Sequence, residues 1–356
     1  MWGKNEVTAR LQIEWPIIQA GMAGGSTTPE LVAAVSQAGG LGTLGAAYMS
    51  PDQMCAAIRE IRQRTDKPFA VNLFVPEAFD ANFFVSASVA AVLNEVRQEL
   101  GIPADPPMTK IVESFAAQME VVLEERVPVF SFTFGLLEQS WMAELKERGI
   151  VVIGTATTVR EAQAQEESGV DMVTAQGSEA GGHRGAFLQD APSNLIGTMA
   201  LVPQVADAVS IPVIAAGGIM DGRGIAAAFA LGAQAAQLGT AFLPCVESGA
   251  HPLHKQAVRE ASDETAVITR AFSGKAARGV ENRFMNLLAP YEQELPPYPI
   301  LNALTRDIRA AAAKQQRSEY LSMWAGQAAS LGRETTAEEL LQQLVQETEQ
   351  VCRRLL

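Results

Sequence analysis

The chain has 356 residues, of which 48% are hydrophobic and 19% charged, and its formal net charge at pH 7 is −13. It lacks the clustered Lys and Arg that hold nucleic acids or anionic membranes, and its apolar runs are too short to span a bilayer. Three separated cysteines fit neither a disulfide framework nor a zinc site, and the N-terminus lacks an apolar signal region, so we expect a reducing, cytoplasmic setting.

One pattern recurs along the chain. An Ala-rich helix is followed by Gly and then by a short apolar strand that ends in Gly, at 29–45, 158–177 and 224–240. Strands without polar alternation are typical of parallel sheets that are covered on both faces. Eight such strands are predicted, at 16–20, 41–45, 69–74, 129–133, 150–155, 171–176, 212–217 and 235–240. This repetition predicts an α/β fold, a TIM (β/α)8 barrel.

A Rossmann fold is the alternative for repeated β and α units, but it requires GxGxxG after an early strand, and "QAGMAGG" (19–25) lacks that spacing. The barrel is predicted over 1–244, with a helical insertion of two helices at about 76–126. A mostly helical segment on the substrate side follows at 245–332.

The last segment, 333–356, is predicted to be a helix that packs back on the barrel. It opens with a Thr336/Glu339 capping-box pattern. Its apolar stripe, the face expected to dock, consists of Leu340, Leu341, Leu344 and Val351.

Glycine is concentrated at the predicted C-terminal ends of the strands, where barrels of this kind have their active sites. The last two of these turns contain Gly217-Gly218 and Gly239-Thr240, without Lys or Arg, so backbone amides would bind a phosphate there. Asn72 and Gln176 also lie at strand ends, and amide side chains suit the polar edge of a heteroaromatic ring. The alternatives are that the glycines only form tight turns and that either amide only ties down a loop.

The stretch "TAQGSEAGGHRGAFL" (174–188) places one of only three histidines, His183, directly after Gly181-Gly182. Two glycines let the loop approach a ligand closely, and an imidazole near its ordinary pKa exchanges protons at neutral pH. We therefore expect His183 to face the substrate, with a structural histidine as the alternative.

Other reactive residues have simpler interpretations. Cys245 is predicted to be a buried apolar residue, and His251 and His254 to be surface or capping residues, because two histidines alone form a poor metal site. No metal site is expected. Lys275 and Arg278 in "SGKAARG" are candidates for attracting an anionic substrate at the cavity entrance. Four aromatic residues are expected in the core or cavity wall: Phe74, Phe130, Phe132 and Trp324.

Several of these motifs together resemble the nitronate monooxygenases, formerly called 2-nitropropane dioxygenases, which are FMN-dependent TIM barrels. They are "PIIQAGMAGG", "KPFAVNLFVPE", "QGSEAGGHRG", "IPVIAAGGIMDG", "QLGTAFL" and "TRAFSGKAARGVENRFM". The resemblance extends from about residue 8 to 350. One departure is Gly21, where many relatives have Pro. Flavin-dependent enoyl-acyl-carrier reductases and NADH:quinone reductases share much of the pattern.

The resemblance implies a role for each matching residue. FMN would lie in the barrel mouth, with Met22 packed on its ring system, and His183 would be the catalytic residue, holding the nitro group and, as a cation, attracting the anion. The implied cofactor-binding residues are Ala20, Gly21, Met22, Asn72, Gln176, Gly181, Gly182, Gly217, Gly218, Gln237, Leu238, Gly239 and Thr240.

The implied activity is the detoxifying oxidation of small anionic nitronates, such as propionate 3-nitronate, by O2 to carbonyl compounds and nitrogen oxides. No nicotinamide is required, and a homodimer is the assembly to test. Two alternatives stay open: an NAD(P)H-dependent flavin reductase of enoyl thioesters or quinones, and a flavin-binding protein without turnover.

Overall fold

The computed structural model describes residues 2–80, 83–108, 110–188 and 195–355. Its main sheet has eight parallel strands in the order β1-β9-β8-β6-β5-β4-β3-β2. Their bounds are β1 Ile17–Gln19, β2 Gly42–Gly45, β3 Phe69–Phe74, β4 Val129–Thr133, β5 Val151–Ala156, β6 Met172–Gln176, β8 Val213–Ala216 and β9 Ala235–Leu238. A parallel bridge between Ile18 and Leu41 joins the first and last strands of this order and closes the barrel. The predicted TIM barrel is confirmed.

The helices lie outside the strands, as short buried strands of a parallel sheet require. Most begin at a Ser, Thr, Asn or Asp whose side chain accepts from a backbone N–H of the first turn. Their bounds are α1 Glu6–Leu11, α2 Pro29–Gln37, α3 Pro51–Arg64, α4 Ala87–Glu99, α5 Phe115–Glu124, α6 Gln139–Glu147, α7 Val159–Ser168, α8 Thr198–Ala208, α9 Gly222–Ala230, α10 Pro252–Arg259, α11 Arg283–Leu288, α12 Ile300–Leu304, α13 Arg306–Lys314 and α14 Ala337–Leu355.

A second, three-stranded antiparallel sheet lies beside the barrel. It consists of β7 Gly182–His183, β10 Ala266–Thr269 and β11 Ala277–Val280, in the order β10-β11-β7. The expectation of a mostly helical 245–332 segment therefore missed a β-hairpin. Alternation of apolar and polar residues, which would have marked a half-buried strand in the sequence, is absent from β11 because all of its residues are buried.

The two helices after β3 pack against different partners. On α4, Val89, Leu93 and Val96 join an apolar cluster with the 245–332 segment, and Arg97 forms a 2.8 Å ion pair with Asp307. On α5, by contrast, Met119 and Val122 belong to the cluster beneath α3. The division of the chain into domains stays a prediction, but α4 and α5 do not form one packing unit.

The C-terminal helix α14 packs on α9 and α2. Thr336 and Glu339 form the expected reciprocal cap, with distances of 3.2 Å in both directions. Leu340, Leu341 and Leu344 are buried as predicted, but Val351 is only half-buried. Within the described residues, no helix is long and apolar enough to cross a membrane.

Candidate active site

A cavity of about 490 Å³ opens at the C-terminal ends of the barrel strands. His183 and all of the predicted cofactor residues except Leu238 line it: Ala20, Gly21, Met22, Asn72, Gln176, Gly181, Gly182, Gly217, Gly218, Gln237, Gly239 and Thr240. The volume is that of a small-molecule or cofactor site. Residues from one end of the chain to the other thus meet in one place because parallel strands end at the same edge.

Leu238 is the exception among the expected cofactor residues. Its side chain is 1% exposed and packs in the core between β1, β8 and the outer helices, while its carbonyl accepts from the N–H of Ala20 at 2.9 Å. Neighbouring residues of a strand point to opposite faces, so the side chain of Gln237 lines the cavity and that of Leu238 does not.

The two glycine turns expose unused backbone donors to the cavity. Gly217 and Gly218 have φ values of +113° and +72°, a region in which a side chain is strained. Within the described residues, the N–H groups of Gly217, Gly218, Gly239 and Thr240 donate no hydrogen bond. Gly218 is exposed, and Gly217 and Gly239 are half-buried, so these donors are open to the cavity and available to an anionic ligand.

Gly21 and Asn72 lie against each other on the opposite wall. A Cβ at Gly21 would lie 2.6 Å from Cβ of Asn72, so the close approach requires glycine. The Asn72 Nδ2 donates to Ser131 Oγ at 3.0 Å, which leaves its carbonyl oxygen directed away from that partner and available as an acceptor.

Gln176 holds the loop that carries His183. Its Nε2 donates to the His183 carbonyl at 3.1 Å, and its Oε1 accepts from the Gly185 N–H at 2.8 Å. Gln176 therefore ties down the loop, as the alternative to ligand binding predicts. One Nε2 hydrogen remains for a ligand, and Gln176 also lines the cavity.

Strand pairing, a hydrogen bond and aromatic contacts hold His183 in place. It lies in β7, opposite Ala277 of β11, and its Nε2 is 2.9 Å from Ser273 Oγ. Four aromatic rings surround the imidazole, with centroid distances of 5.6 to 6.2 Å: Phe74, Phe134, Tyr298 and Trp324. The ring therefore faces the cavity from a rigid apolar setting.

This setting changes the expected charge of the imidazole. Desolvation, reinforced by the positive charges of Lys275 and Arg309, lowers the pKa of His183 to about 3. The ring is thus neutral at neutral pH, and the expectation that cationic His183 attracts an anion is wrong. It can accept or donate a hydrogen bond, but the attraction must come from other groups.

Neither of the two expected entrance cations lines the cavity. Lys275 pairs with Glu77 and lies 4.6 Å from the centroid of the Phe134 ring. Arg278 is buried and donates to the carbonyls of Ser178 and Ala266 at 3.0 and 2.9 Å. Arg278 thus holds the β-hairpin in place, because a guanidinium binds backbone oxygens through several donors at once.

Several polar residues on the cavity wall were not marked by any sequence motif, among them Tyr48, Arg306 and Arg309. These three line both the main cavity and a neighbouring cavity of about 310 Å³. No motif marks them, since Tyr48 and α13 are far apart in the sequence and meet only in the folded chain.

The remaining histidines also lie on the cavity wall, whereas Cys245 does not line the cavity. His251 caps α10, but His254 is 7% exposed and contacts the Trp324 carbonyl at 2.9 Å, so its expected surface position is wrong. Cys245 is buried as predicted, and burial raises its thiol pKa to about 12. Among the described residues, no group of three His, Cys, Asp or Glu could hold a metal.

Fold and site together define a (β/α)8 barrel with its small-molecule site at the C-terminal ends of the strands. The family model of nitronate monooxygenase matches residues 4–347, so the chain belongs to the nitronate monooxygenase family. A probable nitronate monooxygenase of Staphylococcus aureus (strain JH9) is 46% identical over 356 residues, or 99% of each chain.

Two solved structures are also similar. The nitroalkane oxidase from Streptomyces ansochromogenes has a TM-score of 0.90 and 39% identity, covering 99% of this chain and 100% of that one. FabK from Thermotoga maritima has a TM-score of 0.79 and 36% identity, covering 99% and 98%.

Proposed function

We propose that the cavity binds FMN and that the protein oxidises alkyl nitronates with O2 to carbonyl compounds and nitrogen oxides. The observation that carries the proposal is the set of four unused N–H donors around Gly217-Gly218 and Gly239-Thr240. They lie in the turns after the last two barrel strands, where barrels commonly bind a phosphate.

The other walls of the cavity fit the ring system of a flavin. Met22 would pack on the ring, and the free carbonyl of Asn72 and the remaining Nε2 hydrogen of Gln176 would bond its polar edge. Gly181 and Gly182 add no side-chain bulk near His183, so the imidazole can approach the bound ring.

FMN supplies the redox chemistry when it is bound, by exchanging electrons with the nitronate and with O2. The role of the protein is to position the nitronate. Neutral His183 would position the substrate beside the bound ring, and its aromatic surroundings would exclude water. With a neutral nitroalkane as substrate, its unprotonated nitrogen would accept the proton from the carbon that bears the nitro group.

The test measures flavin binding and turnover separately. FMN titrated into protein stripped of flavin should develop the bound-flavin absorbance, and propionate 3-nitronate should then drive rapid O2 uptake without NAD(P)H. Failure to bind FMN would refute both halves of the proposal. Binding without turnover, with His183→Ala equal to wild type, would leave a flavin-binding protein.

The second candidate function is an NAD(P)H-dependent reductase of enoyl thioesters or quinones. The neighbouring cavity of about 310 Å³, which shares Tyr48, Phe74 and Arg309 with the main one, offers room for a longer substrate. The similarity to FabK supports the same alternative. Rapid anaerobic bleaching of the flavin by NADH or NADPH would favour this reaction, whereas slow bleaching favours nitronate oxidation.

A further inference from the structure

We propose that Arg309, with Arg306 and Tyr48, forms a recognition site for a second anionic group of the substrate. In propionate 3-nitronate, the substrate that the family resemblance already implies, this group would be the carboxylate. This inference rests on the proposed function for its substrate, but the anion site itself can be tested without turnover.

The first support is the position of these residues. Arg309, Arg306 and Tyr48 line the main cavity together with His183, and all three also line the neighbouring cavity. They thus lie where the two cavities meet. A substrate that reaches His183 with its nitro group would have its other end near this junction.

The second support is the charge of Arg309. Its Nη2 donates to the carbonyl and side-chain oxygens of Asn302, at 2.6 and 3.0 Å, and its Nε donates to the Thr305 carbonyl. Within the described residues, neither Arg306 nor Arg309 forms an ion pair, and Nη1 of Arg309 donates no hydrogen bond. The guanidinium is therefore held in place with donors left over.

The nearby carboxylates do not neutralise this charge. Asp307 is paired with Arg97 at 2.8 Å, and Glu77 is paired with Lys275. The cavity of a chain with a net charge of −13 thus keeps an uncompensated cation, which is costly to desolvate unless a ligand provides the opposite charge.

The third support is Tyr48. Its buried hydroxyl makes no hydrogen bond of good geometry within the described residues, although Tyr298 lies close by. Burial raises the pKa of the phenol, while the charges of Arg309 and Arg306 act against this shift, so the phenol lies within electrostatic range of both guanidinium groups. A carboxylate would accept from both the hydroxyl and the guanidinium.

Arg306 has a secondary position at the entrance. Both of its Nη atoms donate at 3.3 Å, to the carbonyls of Lys110 and Ile111, and its side chain is exposed. Its charge contributes to the field at the junction, but exposure to solvent screens it, so Arg309 should dominate.

The experiment compares two substrates and three variants. Propionate 3-nitronate carries a carboxylate, and propyl-1-nitronate does not. In Arg309→Met, KM for propionate 3-nitronate should rise by about tenfold or more, since a charge-assisted bond is lost. KM for propyl-1-nitronate should change by less than about twofold. In Tyr48→Phe, KM for propionate 3-nitronate should also rise, but by less than in Arg309→Met, and KM for propyl-1-nitronate should again change little. The matched control is Arg259→Met, which removes an arginine that pairs with Glu334 outside the cavity.

A binding measurement separates this site from the proposed function. Succinate titrated calorimetrically into the FMN-loaded protein should bind wild type at least about tenfold more tightly than Arg309→Met. If it does, but no nitronate is oxidised, the proposed function fails and the anion site stands. Equal succinate affinities in the two proteins would overturn the inference.

Two further results would also overturn it. An equal rise in KM for both nitronates would place Arg309 on the nitro group itself. A weaker affinity for FMN in Arg309→Met, measured by flavin fluorescence, would instead place it on the cofactor phosphate.

Discussion

The hydroxyl of Ser273 lies 2.9 Å from Nε2 of His183 and 3.2 Å from the carbonyl oxygen of Lys275. A hydroxyl has a single proton, so when it donates to Lys275 its oxygen accepts from Nε2–H of His183. The unprotonated nitrogen is then Nδ1, which donates or accepts no hydrogen bond within the described residues. Ser273 is thus placed to select the tautomer of the imidazole that faces the cavity.

We expect Ser273→Ala to lower kcat/KM for a nitronate by about tenfold, because the imidazole loses one hydrogen bond and its preferred tautomer. FMN affinity should not change, since Ser273 does not line the cavity. Steady-state O2 uptake and a flavin titration measure the two quantities.

Ser273→Thr is the conservative control, because it retains a hydroxyl at the same position. Recovery of kcat/KM in this variant would assign the effect to the hydrogen bond. A wild-type kcat/KM in Ser273→Ala would show that the contact has no role in positioning His183.

The pH dependence of nitronate oxidation tests the charge of His183. Since desolvation lowers its pKa to about 3, the imidazole is neutral in the free enzyme at every pH above about 4. We expect kcat/KM for preformed propyl-1-nitronate to show no inflection near pH 6.5. An inflection there that disappears in His183→Asn would mean that the imidazole titrates normally.

The turn at Gly217 should control affinity for the FMN phosphate. In Gly217→Ala, the new side chain is strained at φ +113°, and its Cβ would lie 3.1 Å from the N atom of Ala180. Moving this turn withdraws its N–H donors, so the Kd for FMN should rise by about tenfold or more. The Kd for riboflavin, which has no phosphate, should rise much less.

Gly232→Ala is a matched control for that strain. Gly232 has φ +99° but lies outside the cavity, after α9. Both variants should lose stability, but only Gly217→Ala should distinguish FMN from riboflavin in a fluorescence titration. Equal losses for the two flavins would remove Gly217 from the proposed phosphate site.

The sequence predicted the barrel and nearly all of the residues that meet at its mouth, because strand ends marked by glycine converge by topology alone. The side chain of Leu238 does not line the cavity, because neighbouring residues of a strand point to opposite faces. The contact between His183 and Ser273 joins residues 90 positions apart, and no local pattern could reveal it.

The charge distribution was the part that sequence could not supply. Lys275 and Arg278 stood in a conspicuous Gly-rich motif, but they are engaged by Glu77 and by backbone carbonyls. Arg309 lies in an ordinary Ala-rich helix, and only the folded chain shows that its charge has no partner among the described residues. The distance from each cation to its nearest carboxylate or carbonyl oxygen is set only when the chain folds, so the sequence could not show which cations are paired.

The C-terminal helix should stabilise the barrel rather than take part in catalysis. Leu344 is 0% exposed in the cluster between α14 and the barrel, so Leu344→Ala should lower the free energy of unfolding by about 3 kcal/mol. Leu136, which is 40% exposed, provides the control. Leu136→Ala should change the free energy of unfolding by less than about 0.5 kcal/mol. Urea denaturation measures both. Equal effects would mean that α14 does not share the barrel core.

His254 should make the protein less stable in mild acid. Burial lowers its pKa to about 4, from about 6.5 in an unfolded chain. Between these values the unfolded chain binds a proton that the folded chain excludes, so stability falls as the pH falls through this window.

Replacing His254 with Gln keeps an N–H donor for the Trp324 carbonyl but removes the titration. Between pH 8 and pH 5, wild type should lose about 2 kcal/mol more than His254→Gln, as measured by urea denaturation. His183 and the carboxylates titrate in both proteins and cancel in the difference. Parallel stability curves would mean that His254 stays accessible to protons in the folded protein.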